Sequence, residues 1–230
     1  MTKMESRISR VRRSKAEAKA AYDKMSRWYD VLAGRSEKAL VQLGLEKLSV
    51  AGGEVALEIG FGTGHALVAL AQAAGHSGKV YGIDISQGML AVAREKIETA
   101  GLAERVELRL GDAVQLPFED QVFDSILMSF TLELFDTPEI PVVLAECRRV
   151  LRDGGRLSVV AMSKAGNSSL MLRLYEWAHR RFPKYVDCRP IFVQQALEEA
   201  GFQILDVTAR SMWGLPVEIV TARSTQTRPT

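Results

Sequence analysis

The stretch that decides the fold reads Leu57-Glu58-Ile59-Gly60-Phe61-Gly62-Thr63-Gly64-His65. It begins within a short apolar run, residues 55–60, and ends where a segment rich in helix formers begins, residues 65–74. A glycine turn between a buried strand and a helix presents backbone N–H groups and a helix N-terminus to a ligand. Glycine suits this place because any side chain would hold the ligand away from the backbone. The stretch therefore predicts a ligand site at the carboxyl edge of a parallel sheet.

On both sides of the glycine turn, short apolar runs alternate with helical patterns. The predicted strands are residues 55–60, 79–84, 106–110, 123–129, 156–162, 202–208 and 216–221. The predicted helices are residues 36–48, 65–74, 87–100, 138–151 and 190–201. Strands separated by helices are typical of βαβ units, whereas the last two strands, joined by a Ser-Met-Trp-Gly turn, predict an antiparallel hairpin. The predicted fold is α/β, a doubly wound, seven-stranded and mostly parallel sheet with a C-terminal antiparallel hairpin.

Length and composition favour one globular domain. The chain has 230 residues, of which 47% are hydrophobic and 25% are charged, and this balance excludes wholesale disorder and a disulfide scaffold. We expect a single domain, residues 1–230. Its expected parts are an N-terminal helical cap (1–50), a ligand-binding core (51–162), an insertion beside the site (163–190), and a closing helix and hairpin (191–222).

The net charge of +2 lacks the strong basic bias of a dedicated nucleic-acid-binding protein. This small total hides two basic segments. Residues 1–20 carry seven Lys/Arg against two Glu, and residues 163–190 carry six Lys/Arg against two acids, so the rest of the chain has a net charge of −7. Two well-separated cysteines, no export signal and no uncharged apolar run of about 18 residues predict a cytoplasmic protein.

Acidic residues near the glycine turn indicate which ligand it binds. A dinucleotide-binding turn has its third glycine where this chain has His65, and the Glu58 carboxylate would repel a pyrophosphate. The same carboxylate suits a ligand with an ammonium group, because a buried charge requires a partner. Asp84 ends the second strand, where it can accept hydrogen bonds from both ribose hydroxyls, and Asp112 follows the third, where it can accept one from an exocyclic amine. Together these residues favour S-adenosylmethionine over a nicotinamide dinucleotide.

Four motifs of the core are similar to those of the class I S-adenosylmethionine-dependent methyltransferases. They read LEIGFGTG (57–64), GIDISQGML (82–90), GDAVQLPFEDQVFD (111–124) and ECRRVLRDGGRL (146–157). Within that class the chain resembles the branch of ubiquinone and menaquinone biosynthesis methyltransferases, whose Tyr-Asp-containing N-terminal segment is matched by YDKMSRWYD (22–30). Asp153 replaces the proline usual in that family, which affects a turn and not the site. The resemblance implies a Rossmann-like methyltransferase fold and S-adenosyl-L-methionine as the cofactor.

The resemblance also implies a role for each matching position. The residues implied to surround the methionyl end of the cofactor are Glu58, Gly60, Gly62 and Gly64. Those implied to bind the ribose, the adenine and its amino edge are Asp84, Ile85, Met89, Asp112 and Ala113. Those implied to face the ammonium and the reacting methyl, or to close the pocket from the N-terminal segment, are Ser129, Phe130, Tyr22 and Tyr29.

The sequence shows neither a Ser/His/Asp or Cys/His arrangement nor metal-ligand spacing, so no metal is predicted. Methyl transfer from a sulfonium depends mainly on alignment of nucleophile, methyl and sulfur, and a phenol or an enol carbon also benefits from a general base. The candidate catalytic residues are Glu133, which follows the fourth strand, His179 in the insertion, and Tyr29.

The acceptor is predicted to be a small, partly lipophilic molecule, either a quinol or phenol or an amine-bearing compound. Residues 129–132 lack the prolines of nucleic-acid amino-methyltransferases, so DNA is not expected and RNA is disfavoured. The amphipathic pattern of the insertion predicts either a lid over the sheet or a helix on an anionic membrane. Two alternatives stay open, a non-catalytic S-adenosylmethionine-binding partner subunit and a nicotinamide-dependent oxidoreductase.

Overall fold

The polypeptide folds around one seven-stranded sheet. The computed structural model describes residues 8, 10, 11, 13–32, 34–165, 175 and 188–225, and of residues 25, 27–32, 34 and 35 it describes the backbone alone. The strands are β1 (Val55–Ile59), β2 (Lys79–Asp84), β3 (Val106–Leu110), β4 (Phe123–Ser129), β5 (Leu151–Met162), β6 (Phe202–Met212) and β7 (Leu215–Ser224). Their spatial order is β3-β2-β1-β4-β5-β7-β6.

The first five strands run parallel, and β7 pairs antiparallel with both β5 and β6. This arrangement confirms the predicted α/β fold, including the antiparallel C-terminal hairpin. Because β1 lies between β2 and β4, the chain winds away from β1 in both directions. Open α/β sheets bind their ligands outside the carboxyl ends of the strands at such a point. The fold therefore places a crevice where β1 ends and the glycine turn begins.

Helices cover both faces of the sheet. They are α1 (Lys15–Leu32), α2 (Gly34–Leu48), α3 (His65–Ala74), α4 (Gln87–Thr99), α5 (Ile140–Val150) and α6 (Val193–Glu199), with a 3₁₀ turn at Leu132–Leu134. Neighbouring residues of β1 point to opposite cores, because side chains alternate along a strand. Leu57 packs with Leu144 of α5 and Leu197 of α6, and Ala56 packs with Leu67 of α3. Within the described ranges, no helix is long and apolar enough to cross a membrane.

Strand β5 starts earlier than the sequence predicts. It begins at Leu151 and not at residue 156, because Leu151 already pairs with Phe123 before an irregularity in the β4–β5 register, after which Arg156 pairs with Ser125. Asp153 therefore lies within the bounds of a strand, and the bend occurs at Gly154, whose φ is 76°.

The β6–β7 connection is also shorter than predicted. Met212 pairs directly with Leu215, so the turn consists of Trp213 and Gly214 alone. Both residues have a positive φ, 52° and 82°, and this geometry matches the right-handed twist of two antiparallel strands.

Candidate cofactor site

The glycine turn combines two tightly packed glycines with an open one. Gly60, Gly62 and Gly64 all have a positive φ, at 74°, 51° and 81°. A Cβ atom would lie 2.3 Å from the Thr131 hydroxyl oxygen at Gly60 and 3.0 Å from the Ala93 Cβ at Gly64, but would meet nothing within 4 Å at Gly62. The outer glycines thus allow close packing, and the middle one leaves space for a ligand against the backbone.

Asp84, at the end of β2, connects the glycine turn to the next strand. Its Oδ2 atom accepts a hydrogen bond from the Gly62 N–H (3.0 Å), and its Oδ1 atom accepts one from the Ser86 N–H (2.8 Å). Burial raises the pKa of this carboxyl although these hydrogen bonds act in the opposite direction. Each carboxylate oxygen has a further lone pair. Asp84 can therefore still accept hydrogen bonds, and its binding of a ribose stays a prediction.

Glu58, within β1, is a buried carboxylate with unused hydrogen-bonding capacity. Its side chain is 2% exposed, and burial, together with the nearby Asp84, raises its pKa well above the ordinary value of 4.5. The Leu67 backbone donates to it, but no group of the described chain hydrogen-bonds its Oε2 atom. Such an atom is costly unless a partner arrives. The site therefore fits a ligand with an ammonium group, such as the methionyl end of S-adenosylmethionine.

Two cavities meet at the glycine turn. The first, of about 190 Å³, lies outside the ends of β1 to β4, and the second, of about 250 Å³, lies between the glycine turn and α2. Gly60, Gly62 and Ser129 line both, whereas Glu58 and His65 line the second. The first brings together most of the predicted site: Tyr22, Gly60, Gly62, Asp84, Ile85, Met89, Asp112, Ala113, Ser129 and Phe130. Gly64 lines neither cavity, in keeping with its packing against α4.

An N-terminal cover closes one side of the first cavity. We use this name for Val11, Arg13 and the first two turns of α1, which line the cavity with Lys15, Ala18 and Tyr22. The Lys15 ammonium bridges Asp112 Oδ2 (2.5 Å) and Glu139 Oε1 (2.6 Å).

Further along α1, the Asp23 carboxylate accepts hydrogen bonds from the Ser86 hydroxyl (2.6 Å) and the Gly88 N–H (2.8 Å) at the start of α4. Lys15 and Asp23 are not among the predicted site residues. The basic charge of residues 1–20 was a signal for Lys15, and Asp23 lies in the segment YDKMSRWYD (22–30).

The opposite wall of the first cavity is mostly apolar. Phe130, Leu134 and Phe135 come from the segment after β4, and Cys188 comes from the segment before α6. Phe130 has a φ of 49°, a conformation that costs free energy in any residue other than glycine. Strain of this kind is common beside functional sites, and here it turns the chain sharply where β4 ends.

Two charged residues, Glu133 and Arg189, lie behind this wall. Both are fully buried, and the Glu133 Oε1 atom accepts a hydrogen bond from the Met162 N–H (3.1 Å). The Arg189 guanidinium donates to the Thr137 hydroxyl (3.0 Å) and to the Phe135 carbonyl oxygen. Burial lowers the pKa of Arg189 to about 10, although the Glu133 and Asp136 carboxylates act to raise it.

Glu133 does not line either cavity. Its geometry favours anchoring the post-β4 segment to β5, and its role as a base stays a prediction. Sequence reasoning missed Arg189, since it lies in a segment that reads as a surface insertion. His179 lies outside the described residues, as does the side chain of Tyr29, whose backbone belongs to α1. The part of the chain that the structure describes holds no group of three or more His, Cys, Asp or Glu arranged for a metal.

Comparison with known proteins agrees with this geometry. Residues 56–155 match a family described as "Methyltransferase domain". The chain is 36% identical over 140 residues to the demethylmenaquinone methyltransferase of Lactobacillus johnsonii, an alignment that covers 61% of this chain and 56% of that protein. A solved structure described as a SAM-dependent methyltransferase from Aquifex aeolicus has a TM-score of 0.65 at 23% identity, covering 87% of this chain and 98% of its own. The cyclase SpnF has the same TM-score at 24% identity, covering 81% and 80%.

Residues 56–155 are thus similar to a methyltransferase domain, and the fold is similar to that of solved S-adenosylmethionine-dependent methyltransferases. The curated relatives that it matches belong to the menaquinone branch, as the sequence motifs predicted, and the site fits S-adenosylmethionine, the predicted cofactor. The chain spans somewhat less than two thirds of the length of the curated relatives it matches.

Proposed function

We propose that this chain transfers the methyl group of S-adenosylmethionine to a small, partly lipophilic acceptor. The observation that carries the proposal is the composition of the first cavity. Acidic residues at the ends of parallel strands form one end of it, and the apolar side chains of Phe130, Leu134 and Phe135 form the other. A polar cofactor and an apolar acceptor can therefore lie side by side in it.

The two cavities suggest how the cofactor extends. Its adenosyl part would lie in the first cavity, with Asp84 at the ribose and Asp112 at the adenine amino group. Its methionyl part would reach past Gly62 toward Glu58, whose buried Oε2 atom lacks a partner in the described chain. Gly60 and Gly62 line both cavities, so the path between them follows the glycine turn.

The residues of the chain mainly align and shield the reactants. Bound S-adenosylmethionine supplies a methyl group on a sulfonium, which is already an activated leaving group. Holding the acceptor in line with the methyl and the sulfur can contribute roughly 7–11 kcal/mol to lowering the barrier. Phe130 and Phe135 exclude water from the space between the acceptor and the methyl group, and the N-terminal cover closes the first cavity from the other side. Glu133, His179 and Tyr29 stay candidate bases for an acceptor that must lose a proton.

Among acceptors, a quinol or phenol has the stronger support. The relatives are named demethylmenaquinone methyltransferases, and this name describes a quinone-type acceptor. The apolar wall of the first cavity suits an aromatic ring. An amine-bearing lipid is the remaining candidate in the same size range. We also propose a cytoplasmic, single-domain protein that requires no nucleic acid.

The proposal is tested by binding and by transfer. Calorimetry should detect binding of S-adenosylhomocysteine, and Asp84→Ala should weaken it by roughly 30-fold or more, since hydrogen bonds to a charged group are lost. Asp206→Asn is the matched control, because Asp206 lies on β6, away from the site, and pairs with Lys47 of α2. A radiolabelled methyl assay over quinols, phenols, amines and phosphatidylethanolamine then identifies the acceptor class. Micromolar NAD binding without any response to S-adenosylhomocysteine would overturn the proposal.

A second candidate, a non-catalytic subunit, is compatible with the fold. Because the cyclase SpnF shares this fold, the fold alone does not require methyl transfer. A chain that binds S-adenosylmethionine as a non-catalytic subunit would show the calorimetric response but no labelled product with any acceptor of the panel.

A further inference from the structure

Strand β6 presents a long open edge of the sheet. It is the last strand in the spatial order and has 11 residues, and within the described ranges no strand pairs with its outer side. Such an edge carries backbone N–H and C=O groups that can pair with another chain. The opposite edge, β3, has only five residues, and two ion pairs, of Glu107 with Lys79 and with Arg109, lie along it. Because short length and dense charge protect an edge, β6 is the less protected of the two.

Exposed apolar side chains are concentrated on the β6–β7 hairpin. Five large apolar residues of the described chain are exposed, and three of them are Leu205 (42%), Val207 (40%) and Trp213 (64%). Leu205 and Val207 belong to β6, and Trp213 follows it directly. Neighbouring exposed apolar residues are typical of an interaction surface, and on an edge strand they favour pairing with a further strand. The hairpin is therefore the part of the described surface where a protein partner is most strongly indicated.

Two charged residues of β6 indicate which partner fits. Asp206 and Arg210 point to the same face of the sheet as Thr208, because side chains alternate along a strand. The Asp206 Oδ2 atom contacts the Lys47 ammonium (2.7 Å) and accepts a hydrogen bond from the Thr208 hydroxyl (2.9 Å), whereas no described group donates to Oδ1. The Arg210 guanidinium donates to the Ala209 carbonyl oxygen of its own strand (2.9 Å) and forms no ion pair with a described residue. Both charges can therefore take part in a contact with another chain.

These charges are complementary to those of a second copy of β6. In an antiparallel pair with two-fold symmetry, residues at equal distances before and after the axis lie opposite each other. Only an axis at a residue keeps opposite side chains on one face of the sheet. An axis at Thr208 places Asp206 opposite the partner's Arg210, and symmetry repeats this pair. An axis at Asp206 or Arg210 would oppose like charges, and an axis at Val207 or Ala209 would separate the opposite ones.

The same register brings apolar residues together on the other face. Val207 then lies opposite the partner's Ala209, and symmetry repeats this contact as well. Aliphatic cross-strand neighbours of this kind stabilise a sheet. From Asp206 to Met212, β6 also pairs with β7 without interruption. The segment that the register uses is therefore a regular strand on its inner side.

We propose that β6 pairs antiparallel with β6 of a second copy of this chain, about a two-fold axis at Thr208. The two seven-stranded sheets then form one continuous sheet. The dimer does not rest on the proposed function, because no residue of β6 lines either cavity. Cofactor binding should accordingly be the same in the dimer and in a monomeric variant.

Sedimentation velocity of the full chain tests the dimer. The unchanged protein should dimerise as its concentration is raised. Arg210→Asp should raise the dissociation constant of the dimer at least about tenfold, because two attractive pairs become repulsive. Combining it with Asp206→Arg restores opposite charges and should recover most of this loss. Arg94→Asp reverses an exposed charge on α4, is the matched control, and should leave the dissociation constant unchanged.

Cysteine cross-linking tests the register. Thr208→Cys places two thiols directly opposite each other at the axis, close enough for a disulfide, so mild oxidation should link the dimer covalently. Ala209→Cys is the matched variant. Its thiols would be on diagonal positions roughly 7–8 Å apart, too far for a disulfide, and this variant should stay unlinked. The unchanged protein, with Cys147 and Cys188, is oxidised in parallel and should also stay unlinked.

Three results would overturn the proposal. They are a monomer at every concentration of the unchanged protein, a dimer whose dissociation constant is the same in Arg210→Asp, and cross-linking of Ala209→Cys but not of Thr208→Cys. Binding of S-adenosylhomocysteine is measured on the unchanged protein and on Arg210→Asp, and the two should agree. Absence of binding contradicts the proposed function but leaves the result for the dimer intact.

Discussion

The two ends of the first cavity are built in different ways. At the cofactor end, backbone groups fix the side chains that lie at the strand ends. Asp84, for example, accepts hydrogen bonds from the N–H groups of Gly62 and Ser86. At the N-terminal cover, contact depends on long side chains, and Lys15 is 43% exposed where it meets Asp112. Backbone positions in a sheet are fixed by many cooperating contacts, whereas an exposed ion pair contributes at most about 1 kcal/mol. The cofactor end is thus preformed, and we expect the cover to open more readily than the cofactor end.

The apolar wall does not fit this contrast, because a buried ion supports it. Arg189→Met should leave the buried Glu133 carboxylate without its nearby cation and lower the free energy of unfolding by about 3–5 kcal/mol. Denaturant unfolding measures this change. Glu133→Gln is the matched variant, since the amide oxygen can still accept the Met162 N–H, and should cost less, about 1 kcal/mol.

The same pair of variants separates an anchor from a base. If Glu133 anchors the wall, Glu133→Gln keeps methyl transfer within a fewfold of the unchanged protein. If it is the base, this variant loses transfer while its affinity for S-adenosylhomocysteine and its stability are retained.

The glycine turn should be the least tolerant part of the cofactor end. Gly60→Ala places a Cβ 2.3 Å from the Thr131 hydroxyl at a positive φ, and should cost about 2–4 kcal/mol of unfolding free energy. Adding Thr131→Ala should recover part of this loss, because the clash is with that side chain. Gly62→Ala meets no protein atom and should cost only about 1–2 kcal/mol. In that variant the loss should instead appear as weaker binding of S-adenosylhomocysteine. Equal stability of the two single variants would contradict this account of the turn.

Glu58 makes binding at the cofactor end dependent on pH. Its raised pKa means that its contribution to stability is fully present below the ordinary value of 4.5 and is lost as pH rises through the raised value. An ammonium group bound beside it favours the carboxylate, so a proton should be released on binding within that window. Affinity for S-adenosylhomocysteine should therefore rise with pH there, and calorimetry in buffers of different ionisation enthalpy measures the proton.

Glu58→Gln should abolish the proton release and lower the affinity above the window by roughly tenfold or more. Glu119→Gln, at an exposed acid, is the control. Proton release that persists in Glu58→Gln would assign it to another group, of which Asp84 is the first to test.

The contrast between the two ends also explains what the sequence could predict. The glycine turn, Asp84 and Asp112 form local patterns, and the parallel order of strands brings them to one edge, so fold and cofactor site follow from spacing. Lys15 meets Asp112 across 97 positions, and Arg189 meets Thr137 across 52. The periodicity of apolar residues along the sequence does not predict contacts between side chains so far apart in the chain. The position of Glu133 after β4 predicts that it lies where the acceptor enters, whereas its hydrogen bond to the Met162 N–H of β5 depends on packing that no local pattern shows.

The smallest effect is expected for the N-terminal cover. Lys15→Gln removes both ion pairs, with Asp112 and with Glu139, yet should lower the free energy of unfolding by less than about 1 kcal/mol, because Lys15 and its partners are partly exposed. The change should appear instead in local opening, as faster hydrogen exchange of α1 amides relative to those of α3. Lys79→Gln removes a comparable exposed pair with Glu107 at the far end of the sheet and should leave exchange in α1 unchanged. Identical α1 exchange in Lys15→Gln and the unchanged protein would mean that Asp23 and the packing of α1 on α4 hold the cover, and that it is no weaker than the cofactor end.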